Sequence, residues 1–213
     1  MQLYPAIDMK NGRCVRLCQG KFKNITVYSE HPEEIAALWQ EKKATFLHLV
    51  DLDGALAGRS VNEETIKKIV SSVNIPVEIG GGIRSEEAVK NMLSLGVKRV
   101  IIGTKAVEEP EFLKDMVEKF GADAIAAGID AKAGMVAIQG WEQVSTVTAT
   151  ELCLKMKEYG VKHIIYTDIS RDGMLSGPNI PATKKLTLET GLDIIASGGV
   201  SCMEDLQSLY DAG

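Results

Sequence analysis

Two aspartates stand in matching surroundings far apart in the chain. Ala6-Ile7-Asp8-Met9-Lys10-Asn11-Gly12 and Gly128-Ile129-Asp130-Ala131-Lys132-Ala133-Gly134 share Ile, Asp, Lys and Gly at one offset of 122 residues. Each Asp closes a short apolar run. Two carboxylates in different environments can divide the work of general acid and general base. A lone Asp at a strand end is as often a loop-ordering acceptor, and it is the recurrence of the whole motif that favours chemistry. Asp51 and Asp53, in His48-Leu49-Val50-Asp51-Leu52-Asp53-Gly54, end a second run, and Thr167 and Asp168, in Tyr166-Thr167-Asp168-Ile169-Ser170-Arg171-Asp172-Gly173, end a sixth. Their carboxylates suit substrate hydroxyls or the ordering of their own loops. Thr167 is a candidate hydrogen-bond donor or proton relay, or simply a good strand residue. His48, inside its run, reads equally as a satisfied core histidine and as a ligand contact.

Glycine clusters add a second kind of chemistry. Ile79-Gly80-Gly81-Gly82-Ile83-Arg84 and Ile101-Ile102-Gly103-Thr104 each join an apolar run to a helical pattern, and Ala196-Ser197-Gly198-Gly199-Val200 repeats the first. Bare backbone N–H groups before a helix form a cradle for an anion. Such glycines also serve tight turns alone. Two clusters related by a repeat point to two phosphate sites and so to a ligand phosphorylated at both ends, with the acidic pair between. Two long connections follow the first and fifth runs. One, Arg13 to His31, carries Gln19-Gly20-Lys21 and is a candidate lid. The other carries Gly140-Trp141-Glu142, where Trp141 suits stacking on a planar heterocycle or plain packing.

These residues need a scaffold that brings strand ends together. Apolar runs at Leu3–Ile7, Phe46–Val50, Ile75–Ile79, Val97–Ile102, Ala124–Ile129, His163–Tyr166 and Leu192–Ala196 alternate with amphipathic stretches. Near-continuous apolarity predicts parallel strands covered on both faces. Helix starts are marked by Pro32-Glu33-Glu34, Ser85-Glu86-Glu87 and Ile180-Pro181, with a capping box at Ser201-Cys202-Met203-Glu204. Val77–Gly96 aligns without a gap on Ile194–Gly213 at an offset of 117. Seven β-then-α units and this internal repeat predict one α/β domain over residues 1–213. Its expected form is a TIM-type (β/α)₈ barrel of two half-barrels, about 1–120 and 121–213. By that symmetry an eighth βα unit, about 25 residues, is expected to be absent from this chain.

Composition narrows the partners. The chain has 213 residues, 45% hydrophobic and 25% charged, with a net charge of −5. That excludes wholesale disorder and a basic nucleic-acid footprint. No apolar run approaches the roughly 20 residues of a membrane span, and the N-terminus has no secretory pattern. The four cysteines form no C-x-x-C and the three histidines are scattered, so neither a metal site nor a disulfide framework is expected. A cytoplasmic monomer acting on a small phosphorylated molecule is the expectation.

Taken together, YPAIDMKNGRCVRLCQG, HLVDLDGA, IGGGIRS, IIGT, GIDAK with GW, YTDISRDGMLSGPN and ASGGVS resemble the phosphoribosyl isomerases of histidine biosynthesis across the whole chain. The resemblance implies a (β/α)₈ barrel that turns an N-linked aminoaldose with two phosphates into the aminoketose by an Amadori rearrangement, with no metal or organic cofactor. It implies catalytic roles for Asp8, Asp130 and Thr167, with Asp130 as acid and Asp8 as base or the two roles exchanged. It maps one phosphate cradle onto Gly81, Gly82, Gly103 and Thr104 and the other onto Gly173, Gly177, Gly198 and Gly199. Gly20, His48, Asp51, Arg84, Trp141, Asp168 and Ser197 complete the expected substrate contacts. Three other readings stand beside it: a dual-substrate isomerase that also takes phosphoribosylanthranilate, the related imidazole glycerol phosphate cyclase, and a non-catalytic, truncated phosphosugar-binding fragment. The cyclase pattern of a cysteine two residues before the first Asp is missing, since Ala6 stands there.

Overall fold

The computed structural model describes residues 1–18, 21–138, 141 and 143–213, with backbone alone at 18 and 21–24. The chain divides into two compact units, Met1–Arg16 with Ile25–Ile102, and Leu17–Asn24 with Gly103–Gly213. Both are α/β.

In the first unit β1 (Ala6–Lys10), β4 (Leu47–Asp51), β5 (Val77–Gly80) and β6 (Arg99–Ile102) form a parallel sheet in the order β6-β5-β4-β1. Helices α1 (Pro32–Glu41), α2 (Leu52–Ala57), α3 (Glu63–Ser72) and α4 (Glu86–Ser94) fill the connections. One sheet face carries Ile7, Met9, Leu47, Leu49, Val77, Ile79, Val100 and Ile102, all buried. The helices contribute Ala36, Ile66, Ile69, Val89 and Met92 to the core. Each fully buried aliphatic side chain of this kind contributes about 1.5–3 kcal/mol. The other face is mixed: register aligns Asp8 with Val50 and Gly80 in one row, and Ala6 with His48, Glu78 and Arg99 in the next.

The second unit repeats the plan. Parallel strands β7 (Ile125–Lys132), β10 (His163–Asp168) and β11 (Asp193–Ser197) lie in the order β11-β10-β7. They alternate with α5 (Thr104–Glu108), α6 (Pro110–Phe120), α7 (Ala149–Glu158), α8 (Ile180–Thr190) and α9 (Met203–Ala212). One row of the mixed face reads Asp130, Thr167, Ser197, and the next reads Gly128, Ile165, Ile195. Among the described residues no helix is long and apolar enough to cross a membrane.

Three expectations need correction. The first and fifth connections are not loops. Arg13–Cys18 and Lys21–Ser29 are strands (β2 and β3), with β2 antiparallel to β1; Met135–Ile138 and Gln143–Thr148 are strands (β8 and β9), with β8 antiparallel to β7. That pairing extends the strands before them. β1 runs on to Lys10 and β7 to Lys132, because Asp8 pairs with Val15 and Ala131 with Val136. Both aspartates therefore sit inside ordered strands rather than just past their ends. The last helix starts one residue late: Cys202 is the cap and Asp205, not Glu204, reaches back to the Ser201 and Cys202 N–H groups.

Candidate active site

Asp8 is half-buried on β1, between register partners Val15 and Val50. The neighbouring Cys14 thiol is buried and pushed up, by burial first and then by the charge of Asp8. Cys153 is pushed up to about 12 by burial alone. Neither is a nucleophile at neutral pH.

Asp130 is built differently. Its strand neighbour Thr167 donates a hydrogen bond to it, and Trp141 Nε1 donates to its Oδ2 at 2.7 Å. Burial pushes the Asp130 carboxyl above its ordinary range, and the two donors only partly offset that. Trp141 reaches it from a left-handed backbone, φ +74°, a conformation that costs a bulky residue energy and holds only where its surroundings impose it. Ser197 completes the row on β11. Asp130, Thr167, Trp141 and Ser197 are thus all furnished by the second unit.

Asp51 and Asp168 have full internal employment. Asp51, with no exposed surface, accepts from the N–H groups of Gly54, Val61 and Asn62, from Ser60, and from Asn62 Nδ2 at 2.6 Å. Asp168 accepts from Ser170 N–H and hydroxyl and from Asn179 Nδ2, also at 2.6 Å. Burial pushes the Asp168 carboxyl up, but these donors and Arg171 outweigh it and hold it below its ordinary range. At Asp53 burial is likewise the largest single effect and pushes the carboxyl up, but Asn62, the Asn11 N–H and Lys10 together outweigh it and hold it below its ordinary range. The loop-ordering role is the one observed for all three.

The glycines explain themselves by close approach. Gly81 sits at φ +108°, where an added Cβ would lie 2.2 Å from the Asp51 carbonyl oxygen; at Gly82 it would lie 2.4 Å from that of Gly54. The repeat holds: at Gly198 the obstacle is the Asp168 carbonyl at 2.9 Å, and at Gly199 the Gly177 carbonyl at 2.3 Å. Gly177 N–H donates to Gly199, and Arg171 donates to the Gly177 carbonyl. Gly173, also at positive φ, lies in the same loop. Gly103 differs: it caps α5 with Thr104 next, and a Cβ there would meet nothing within 4 Å. The guanidinium of Arg84 packs over Gly58. Gly81, Gly82, Arg84 and His48 belong to the first unit, Gly103, Thr104, Gly173, Gly177, Gly198 and Gly199 to the second. Gly20 lies outside the described residues, as do Gln19, Gly140 and Glu142.

Sequence reasoning missed Asn62 and Asn179. The signal was there, because they match at the same offset of 117 that pairs Asp51 with Asp168. It also missed Glu78 and Arg99, a buried ion pair at 2.9 Å whose Glu78 meets His48 Nδ1 at 2.7 Å.

Parallel βα units whose glycine-bearing strand-end loops recur in both halves define an α/β protein built on a duplicated plan. Residues 2–213 match the family described as histidine biosynthesis protein, and the chain belongs to that family. A relative from Lachnoclostridium phytofermentans is 60% identical over 209 residues, 98% of this chain and 87% of its own length. It is named 1-(5-phosphoribosyl)-5-((5-phosphoribosylamino)methylideneamino) imidazole-4-carboxamide isomerase. Relatives from Thermodesulfovibrio yellowstonii and Syntrophomonas wolfei, 53% and 50% identical over 99% of this chain and 86% of their own lengths, bear the same name.

Proposed function

We propose that this chain is the isomerase for which these relatives are named, converting the bisphosphorylated N-linked aminoaldose to the aminoketose of histidine biosynthesis. The observation that carries the reading is the 60% identity along 98% of the chain with a protein of that name. The proposed architecture is a TIM-type barrel of two half-barrels, and the proposed form a cytoplasmic monomer.

In the proposed mechanism Asp130 is the acid. A carboxyl pushed up by burial keeps its proton to higher pH, and Thr167 and Trp141 hold it in place. It gives that proton to the ribose ring oxygen; the C1–O bond breaks and the nitrogen lone pair forms an iminium. Asp8 then takes the C2 proton, which leaves an enolamine. Return of a proton to C1 and loss of the enol proton give the ketone, so the reaction is balanced without a cofactor or a metal. The glycine loops at Gly81 and Gly82 with Gly103 and Thr104, and at Gly173 and Gly177 with Gly198 and Gly199, hold the two phosphates. Arg84, Ser197 and Gly20 complete the substrate contacts, and Asp51 and Asp168 act through the loops they order.

The test is turnover of the purified bisphosphorylated aminoaldose with ammonia left out. Aminoketose formation is expected, lost in Asp130→Asn. Turnover of phosphoribosylanthranilate as well would make it a dual-substrate isomerase. An ammonia requirement would make it a cyclase, and tight binding without turnover a phosphosugar binder.

A further inference from the structure

Glu78 has no exposed surface, yet it stands in the middle of a parallel strand. Its two oxygens face different partners: Oε1 is 2.7 Å from His48 Nδ1 and Oε2 is 2.9 Å from Arg99 Nη1. Arg99 also lies over the Phe46 ring, 5.2 Å from its centroid. Of the three side chains His48 is the accessible end, 16% exposed against 0% for Glu78 and 8% for Arg99. Taking such charges out of water costs several kcal/mol per ion before pairing, so a buried pair is weak evidence for stability. The second half carries no such charges at the matching positions. The positions that match His48 and Glu78 in the second half are Ile165 and Ile195, paired in the same parallel register. A charged row where two isoleucines suffice is explained by what it does to the imidazole.

We propose that Glu78 is a positioning residue for the reaction, which fixes the tautomer of His48. With the proton on Nδ1 donated to Glu78, Nε2 keeps its lone pair and accepts a hydrogen bond from a substrate hydroxyl or amide N–H. Arg99 occupies the second carboxylate oxygen as a donor and leaves Glu78 only an acceptor's duty toward the ring. His48 lies two residues before Val50, the register partner of Asp8, so the imidazole shares a sheet face with the proposed base, one row away. The proposal rests on the isomerase reading.

Nitrogen-15 NMR of the whole chain reads the tautomer without substrate, with only three histidines to assign. The expected native state of His48 is a neutral ring protonated on Nδ1; a ring protonated on Nε2, or on both nitrogens, overturns the proposal. Two double variants then separate positioning from packing. Glu78→Leu with Arg99→Met is expected to shift the proton to Nε2 and to raise KM roughly tenfold, the loss of about one hydrogen bond, with kcat within about twofold. Glu78→Gln with Arg99→Met restores an acceptor and is expected to recover both the tautomer and KM. A merely structural role predicts the reverse order, because a buried amide is harder to satisfy than leucine. His48→Ala distinguishes the failures. If it leaves KM unchanged, the placing of His48 in the site falls and the proposal with it. If it raises KM while the Leu/Met variant keeps native KM, the positioning role alone is overturned.

Discussion

The two units use the same scaffold to present different chemistry. Asp51, Asn62 and Gly81 in the first recur as Asp168, Asn179 and Gly198 in the second, with the same Asn-to-Asp hydrogen bond of 2.6 Å and the same glycine pressed against the aspartate carbonyl. The rows they support differ. Asp8 is aligned with Val50 and Gly80, Asp130 with Thr167 and Ser197; beneath lie His48 and Glu78 in one unit, Ile165 and Ile195 in the other. Backbone packing tolerates little change where loops meet, since a Cβ or an unpaired carboxylate there costs several kcal/mol. Side chains on the mixed sheet face are freer, and there the two halves have diverged. In the second half the divergence leaves a carboxyl raised by burial and held by two donors.

The sharpest break of this comparison is at the aspartates. Asp130→Asn and Asp8→Asn are each expected to lower kcat by about a thousandfold or more, while substrate affinity stays within a few-fold; comparable kcat would remove that residue from the chemistry. Only Asp130→Asn is expected to stabilise the protein. Because burial raises its folded pKa, its ionised form costs stability once pH exceeds the unfolded value of about 3.9. The variant should melt higher at pH 7 and show no gain below about pH 3.9, which calorimetry across pH would check.

Next in size are the glycines. Gly81→Ala meets a carbonyl at 2.2 Å and Gly198→Ala meets one at 2.9 Å. Both also sit at positive φ, so the first is expected to cost about 3 kcal/mol or more and the second about half that. Gly81→Ala should raise KM as well. Equal denaturant midpoints, or an unchanged KM, would mean that the loops are not held as described.

The asparagines are smaller. Asn62→Ala and Asn179→Ala are each expected to destabilise by about 1–3 kcal/mol. The former should cost more, because Asn62 bridges Asp51, Asp53 and the Gly12 N–H. A cost in one unit alone would end the claim of a shared scaffold. The smallest effect is electrostatic. Trp141 lowers the Asp130 pKa against the larger effect of burial, so Trp141→Phe raises it further. The high-pH limb of kcat/KM, where the acid loses its proton, should then move up. A downward move would contradict the assignment of Asp130 as acid.

Much of this was legible one residue at a time. The I-D-x-K-x-G repeat and the glycine clusters announced a duplicated set of strand-to-helix turns, because such a turn is local and carries its own residue types. The strands β2, β3, β8 and β9 were not legible. Stretches such as Lys21–Ser29 mix polar and apolar residues, and only the strand beside them makes them strands. Asp51 and Asp168 looked like spare carboxylates because their donors, Asn62 and Asn179, lie 11 residues away in the chain.

From sequence alone came the alternation of strand and helix and the duplication; these depend on hydrophobic period and on motifs that repeat within the chain. Tertiary structure decided which carboxylates are occupied and which is raised, and that Glu78 joins His48 and Arg99 in one row. Burial and strand register set those properties, and both are relations between distant segments that no local pattern encodes.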